Sequence, residues 1–194
     1  MDSIWASAIS SSALHKAMPR GTRLRAAGLA LCCAIVAPVQ ADEVFLAPAT
    51  FVAAAFDGKP PAPQKLWVDA ALNIKVRDIV GSALPALRQK YWREGERTVW
   101  ILEAIGRDKP ITAGYVVERG AIVRSAILVY RESRGAEVRH AFFTDQFTGA
   151  KLRSDDTLDR NIDGITGATL SVHAISGLAR VALLLDRAAR LASQ

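Results

Sequence analysis

Apolar residues along this chain follow two periods. Residues 98–105 carry Val99, Trp100, Ile101, Leu102 and Ile105 as one β-type block. A second block covers 111–117, and a third, rich in β-branched residues, covers 121–131. The breaks at 106–110 and at Arg119-Gly120 are short, which predicts an antiparallel meander. Both faces of 122–130 are apolar, which predicts a central strand covered on both sides. Leu66-Trp67-Val68 reads as a short strand, and Tyr91-Trp92 before Glu94-Gly95 as a strand entering a hairpin turn. The helical period governs 170–191, where Val172, Ile175, Leu178, Ala179, Ala182 and Leu185 share a face. It recurs over 69–80, capped by Asp69 and ended by Gly81, with Leu72, Ile79 and either Ile74 or Val76 inward. A short helix over 50–56, with Pro48 near its start, docks on the flank of the domain. Pro60, Pro61 and Pro63 then stiffen a connector. The pattern predicts an α+β fold: a twisted, mostly antiparallel sheet packed with helices, the last one following a loop of small residues.

The apolar run 26–36 belongs to neither period. Arg20, Arg23 and Arg25 precede it, and Pro38-Val39-Gln40-Ala41 follows with small residues at the positions a signal peptidase reads. Residues 1–41 therefore read as a secretory signal cleaved after Ala41, with Met18 an alternative start. The run is shorter than the roughly 20 residues that span a bilayer, so a retained anchor is the weaker reading. Export implies a periplasmic protein. The organisation expected is a signal over 1–41, a helix and proline-rich connector over 42–64, and one domain over 65–194.

The leader changes both charge and redox chemistry. Of the formal net charge of +6, it contributes Lys16, Arg20, Arg23 and Arg25 against Asp2, leaving +3 for the mature chain. That mild excess, with no basic stripe interleaved with aromatics, argues against a nucleic-acid partner. Both cysteines, Cys32 and Cys33, lie in the leader. The mature chain then has no disulfide, no thiolate and no cysteine ligand for a cluster or haem, so any redox chemistry needs an organic cofactor.

The loop before the last helix holds the chemistry. Asp163-Gly164-Ile165-Thr166-Gly167-Ala168-Thr169 feeds a helix N-terminus, where unpaired N–H groups and the dipole favour a phosphate. Thr169 puts a hydroxyl in the first turn, with Ser171, Thr166 and the N–H groups of residues 167–170 as further phosphate donors. As ordinary structure, the same residues make an Asp-Gly turn and a helix cap. D-G-I-T-G-A-T resembles the flavinylation motif of the FMN-binding domain family. That family includes the C subunit of the sodium-pumping NADH:quinone reductase and the G subunit of the Rnf complex. The resemblance implies that a magnesium-dependent flavin transferase joins FMN through its phosphate to Thr169. Asp163, Gly164, Thr166, Gly167, Ala168, Leu170 and Ser171 would surround the attachment, with magnesium present only during it. Asp163 would orient the hydroxyl or steer that metal.

A second segment resembles the same family. Glu132, Ser133 and Gly135 match an E-[ST]-x-G loop, and Gln146, Phe147 and Gly149 match a Q-F-x-G loop. Both imply residues near the flavin, although Arg134 stands where the family often has proline. Phe147 would be an apolar wall and Gln146 an amide for the ring's polar edge, whereas a lone Phe is more often core and a lone Gln solvated. His173, one turn after Thr169, is a further candidate, outweighed by an ordinary surface role. Asp155, Asp156, Asp159 and Asp163 lack the spacing of a calcium loop and read as a solvated stretch. Thr169, His173 and an Asp have the residue types of a hydrolytic triad but no nucleophile motif around them. The expectation is a periplasmic electron-transfer flavoprotein. It would be a carrier or a subunit of an oxidoreductase system, with an electron donor and acceptor that include a membrane-bound or haem protein. The alternative is a module that holds flavin reversibly or recognises a partner without redox turnover.

Overall fold

The β-type blocks become consecutive antiparallel strands of one six-stranded sheet. The computed structural model describes residues 43–193; the expected signal segment and its expected cleavage site lie outside them. In chain order the elements are β1 (Glu43–Val44), α1 (Pro48–Ala55), β2 (Gln64–Trp67), α2 (Ala70–Val80), β3 (Arg88–Glu94), β4 (Arg97–Ile105), β5 (Pro110–Glu118) and β6 (Ala121–Tyr130). A run of short helical turns follows, containing α3 (Ala141–Thr144), and then α4 (Thr169–Leu191). The sheet order is β1-β6-β5-β4-β3-β2, and every pairing is antiparallel. The α+β expectation, with a C-terminal helix after the motif loop, holds.

The two faces of the sheet are covered by different helices. Trp100, Leu102, Tyr115, Val117 and Ile122 pack on one side with Ile175, Leu178, Ala182 and Leu185 of α4 and Val76 of α2. Val99, Val116, Leu128 and Val129 pack on the other with Phe51, Val52, Ala55 and Phe56. Burying a side chain such as Phe51 contributes about 1.5–3 kcal/mol, so α1 is a cover rather than an appendage. Between the two candidates of the 69–80 helix, Val76 is buried and Ile74 is exposed. Asp69 caps that helix by accepting the Leu72 N–H at 2.7 Å.

One strand differs from expectation. β6 is not central: it lies next to the two-residue edge strand β1. Only its second half, Ile127 to Tyr130, is buried on both faces, while Val123 and Arg124 are exposed.

α4 is fixed along its length by polar contacts as well as by packing. Tyr115 Oη donates to the Ile175 carbonyl at 2.7 Å. Near its C-terminus the buried Asp186 accepts from Thr98 Oγ1 at 2.7 Å and from Arg190 Nε at 2.8 Å. By length and composition this helix could cross a bilayer, but 72% of its apolar window is buried inside the fold. The loop before it is tied down through its carboxylates. Asp156 pairs with Lys75 at 2.8 Å, and Asp159 accepts the Lys151 N–H at 3.1 Å.

Candidate functional site

The residues before α4 form a turn closed by the Ala168 N–H donating to the Ile165 carbonyl at 2.9 Å. Gly167 supplies the φ of +84° that this turn requires. α4 then starts at Thr169, with Ala168 at the N-cap, no side-chain cap and no acidic residue in its first turn. Its first N–H groups are therefore unpaired by side chains, and its positive dipole end is uncompensated. Thr169 and Leu170 are exposed there, whereas Ala168 is buried.

A groove of about 460 Å³ runs beside this terminus. Gly167, Ala168, Thr169, Leu170 and Ser171 form one wall, and Arg107, Glu132, Ser133 and Arg134 the other. Its volume falls in the range of small-molecule sites. Two guanidinium groups and an open helix N-terminus suit a phosphate, and Leu170 offers an apolar surface beside them.

The opposing wall is built by Glu132. Its Oε1 accepts the backbone N–H groups of Arg107, Asp108 and Lys109 at 2.6, 2.7 and 2.9 Å. Partial burial pushes the Glu132 carboxyl up, but these three donors and the Arg107 charge outweigh it and hold the group below its ordinary range. Glu132 thus shapes the turn that presents Arg107. The two walls are clamped through Tyr130, whose Oη bonds the Arg134 carbonyl at 2.5 Å and Ser171 Oγ at 2.9 Å. Burial raises the Tyr130 hydroxyl above its usual value, offset in part by the Ser171 bond. Gly135 sits in the crossing at φ +83°. A Cβ there would lie 2.9 Å from Tyr130 Oη and 3.0 Å from the Ala168 Cβ.

Several expected ligand residues take other roles. Phe147 is fully buried, edge-on to Phe143 and Tyr115 with centroids 5.5 and 6.4 Å away, so it is core and not a flavin wall. Gln146 spends its Oε1 on the Asp163 N–H at 2.7 Å and lies outside the groove lining, so it positions the start of the motif. Ser171 lines the groove, but its buried hydroxyl is engaged by Tyr130. Asp163, Gly164 and Thr166 are exposed and precede the lining residues. His173 opens onto a separate groove with Arg160, Asn161 and Ile162. Arg107 was not a sequence candidate: it sits in an unremarkable turn 62 residues before Thr169, and nothing local signals that the Glu132 carboxylate folds that turn against the helix.

Residues 106–184 match the family model of the FMN-binding domain. The chain carries an FMN-binding domain. The match takes in β5, β6, the Glu132 loop, the motif and α4 as far as Leu184. No curated protein and no solved structure gives a match to set beside it. FMN is thus the cofactor of this domain, and the groove at Thr169 lies within the matched segment.

Proposed function

We propose that this FMN-binding domain carries its flavin covalently, by a phosphoester to Thr169, and serves as an electron carrier in the periplasm. The observation that carries the reading is Thr169 itself. It is an exposed hydroxyl on the first residue of an uncapped 23-residue helix, closing D-G-I-T-G-A-T, in a groove flanked by Arg107 and Arg134. Those guanidinium groups and the N–H groups at the start of α4 would hold the phosphate. In the attachment step the Thr169 hydroxyl loses its proton to a base on the transferase, and its oxygen bonds the flavin phosphorus. The phosphoanhydride of an activated flavin donor breaks, and its other half leaves. The bound flavin supplies one- and two-electron transfer. The leader supports export, and a covalent link suits an exported protein, since a loose cofactor would be lost outside the cytoplasm.

The test is the intact mass of the denatured protein made beside an active flavin transferase, with a control acceptor labelled in parallel. The expected gain is one FMN less one water on the peptide holding Thr169, absent in Thr169→Ala. That variant should stay folded and within about 0.5 kcal/mol of the wild type, since no side-chain cap is removed. An unlabelled wild type beside a labelled control would refute covalent attachment and leave a reversibly bound flavin.

A further inference from the structure

The other end of the molecule presents a cationic face with no ion-pair partner among the described residues. Cross-strand register places Lys65 opposite Lys90 and Trp67 opposite Arg88 on β2 and β3. Leu66 and Tyr91 are buried toward α4, so by alternation Lys65, Trp67, Arg88, Lys90 and Trp92 share the other face. α1 covers that face only over β4, β5 and β6, where its buried cluster lies, and Trp92 is only packed at the edge of that cluster.

Charge on this face is not balanced. On this face Lys65, Arg88 and Lys90 stand against one carboxylate, Glu94, which sits at the hairpin turn paired in register with Arg97. Lys65, Arg88 and Lys90 are exposed, and none has an ion-pair partner among the described residues. Lysines directly opposed across a strand pair repel each other. Instead of carboxylates the cations meet indole rings: Arg88 lies 5.1 Å from the Trp67 ring centroid and Lys90 5.0 Å from that of Trp92. Trp67 is 58% exposed, and Leu87 and Leu191 beside it are 60% and 67% exposed. Leu87 is joined to this edge by its carbonyl bond from the Val68 N–H, and Leu191 shares a groove with Trp67.

We propose that this face docks on an anionic lipid bilayer surface. Protein interfaces concentrate apolar residues at their centre and charge at their rim. Here the cations are central, and the exposed Trp67 indole, Leu87 and Leu191 flank them, with the half-buried Trp92 on the side of α1. Side chains with an apolar body beside a polar tip belong at the boundary of headgroups and acyl chains. Placement supports the same occupant. Trp67 and Leu191 lie at the C-terminal end of α4, and Thr169 begins that helix about 33 Å away along its axis. A membrane bound at this face would leave the Thr169 groove open to the aqueous side. The inference does not depend on how, or whether, flavin is attached.

The test is co-sedimentation of the protein, purified as the cell processes it, with vesicles of phosphatidylcholine alone or mixed with phosphatidylglycerol. Each basic residue near an anionic surface contributes about fivefold to partitioning, so three together contribute roughly a hundredfold. Binding is expected only to the mixed vesicles, lost above about 0.5 M salt, and reduced roughly a hundredfold in K65Q/R88Q/K90Q. The control K59Q/R119Q/K151Q, with the same change in net charge on other surfaces, should fall much less. Matching melting curves would exclude unfolding as the cause. Equal loss in both triple variants, binding to neutral vesicles that ignores charge, or no vesicle binding would each overturn the proposal. Capture of an acidic protein by this face without vesicle binding would also overturn it, in favour of a protein partner.

Discussion

Replacing Gly135 by alanine tests whether the groove depends on the crossing of its two walls. The native φ of +83° disfavours any side chain, which costs about 1–2 kcal/mol. The new methyl would meet Tyr130 Oη at 2.9 Å, the Ala168 Cβ at 3.0 Å and Ser171 Oγ at 3.3 Å. Two of these atoms belong to the bond that clamps the walls, and Ala168 is the N-cap of α4. Overpacking of this kind costs about 1–3 kcal/mol, so the sum is roughly 2–5 kcal/mol. For a domain of this size each kcal/mol lowers Tm by about 2–4 °C, predicting a drop of roughly 4–20 °C. If relief comes by parting the walls, FMN incorporation should slow even at temperatures where the variant is folded. Gly164→Ala is the control. It has an ordinary φ and nothing within 4 Å of the new Cβ, so its Tm should stay within 2 °C. The assay is a thermal melt of each variant together with the rate of mass gain during labelling. A Gly135→Ala protein that melts with the wild type and labels at the same rate would refute the view that this crossing holds the site.

Three further outcomes follow from the geometry. Glu132 has a depressed pKa in the folded state, so its stabilisation is present above the ordinary glutamate value and is lost as pH falls through the lower folded value. The stability gap between wild type and Glu132→Gln, read by denaturant titration, should be present at pH 7 and close in acid below that value. Asp186→Ala should cost about 1–3 kcal/mol in the same titration, because it removes the acceptor of the buried Thr98 hydroxyl and one of the partners of Arg190, which keeps Glu96. Labelling at 20 °C should persist in that variant, since Asp186 lies about 25 Å along α4 from Thr169. Asp163→Ala should slow labelling with little change in Tm, as the side chain is exposed; an unchanged rate would remove the orienting role given to that carboxylate.

Local pattern made the meander and the long helix legible, because each repeats a period over seven or more residues and short turns leave few ways to join them. It failed where partners are distant in sequence. β1 has two residues and no period of its own; it exists only because Glu43 and Val44 meet Tyr130 and Val129. The 136–147 stretch forms three short helical pieces, too brief to show periodicity. Ile74 and Val76 are equally apolar, and only the position of α4 decides between them. At the site, the motif and its threonine are visible as a contiguous string. Between the ligand wall and the core that Phe147 suits by type the sequence does not decide, because an aromatic before a Thr-Gly pair looks the same whether it faces a cofactor or a core; its burial decides for the core. The amide of Gln146 and the hydroxyl of Ser171 are capable phosphate or ring donors by type. Their commitment to Asp163 and Tyr130 is a matter of contacts 17 and 41 residues away.

The division of labour between α1 and α4 has a consequence for how the chain reaches its native state. The covers of the two sheet faces are the first and last helices described, and β1 closes on β6 across the whole meander. During synthesis the strands emerge with α1 available for one face but with only α2 for the other until residues as far as Leu185 are free. Contacts between such distant segments make assembly slow and leave apolar strands bare in the interim. Thr169 joins its groove in that same late event, so the groove takes shape only as the last face of the sheet is sealed.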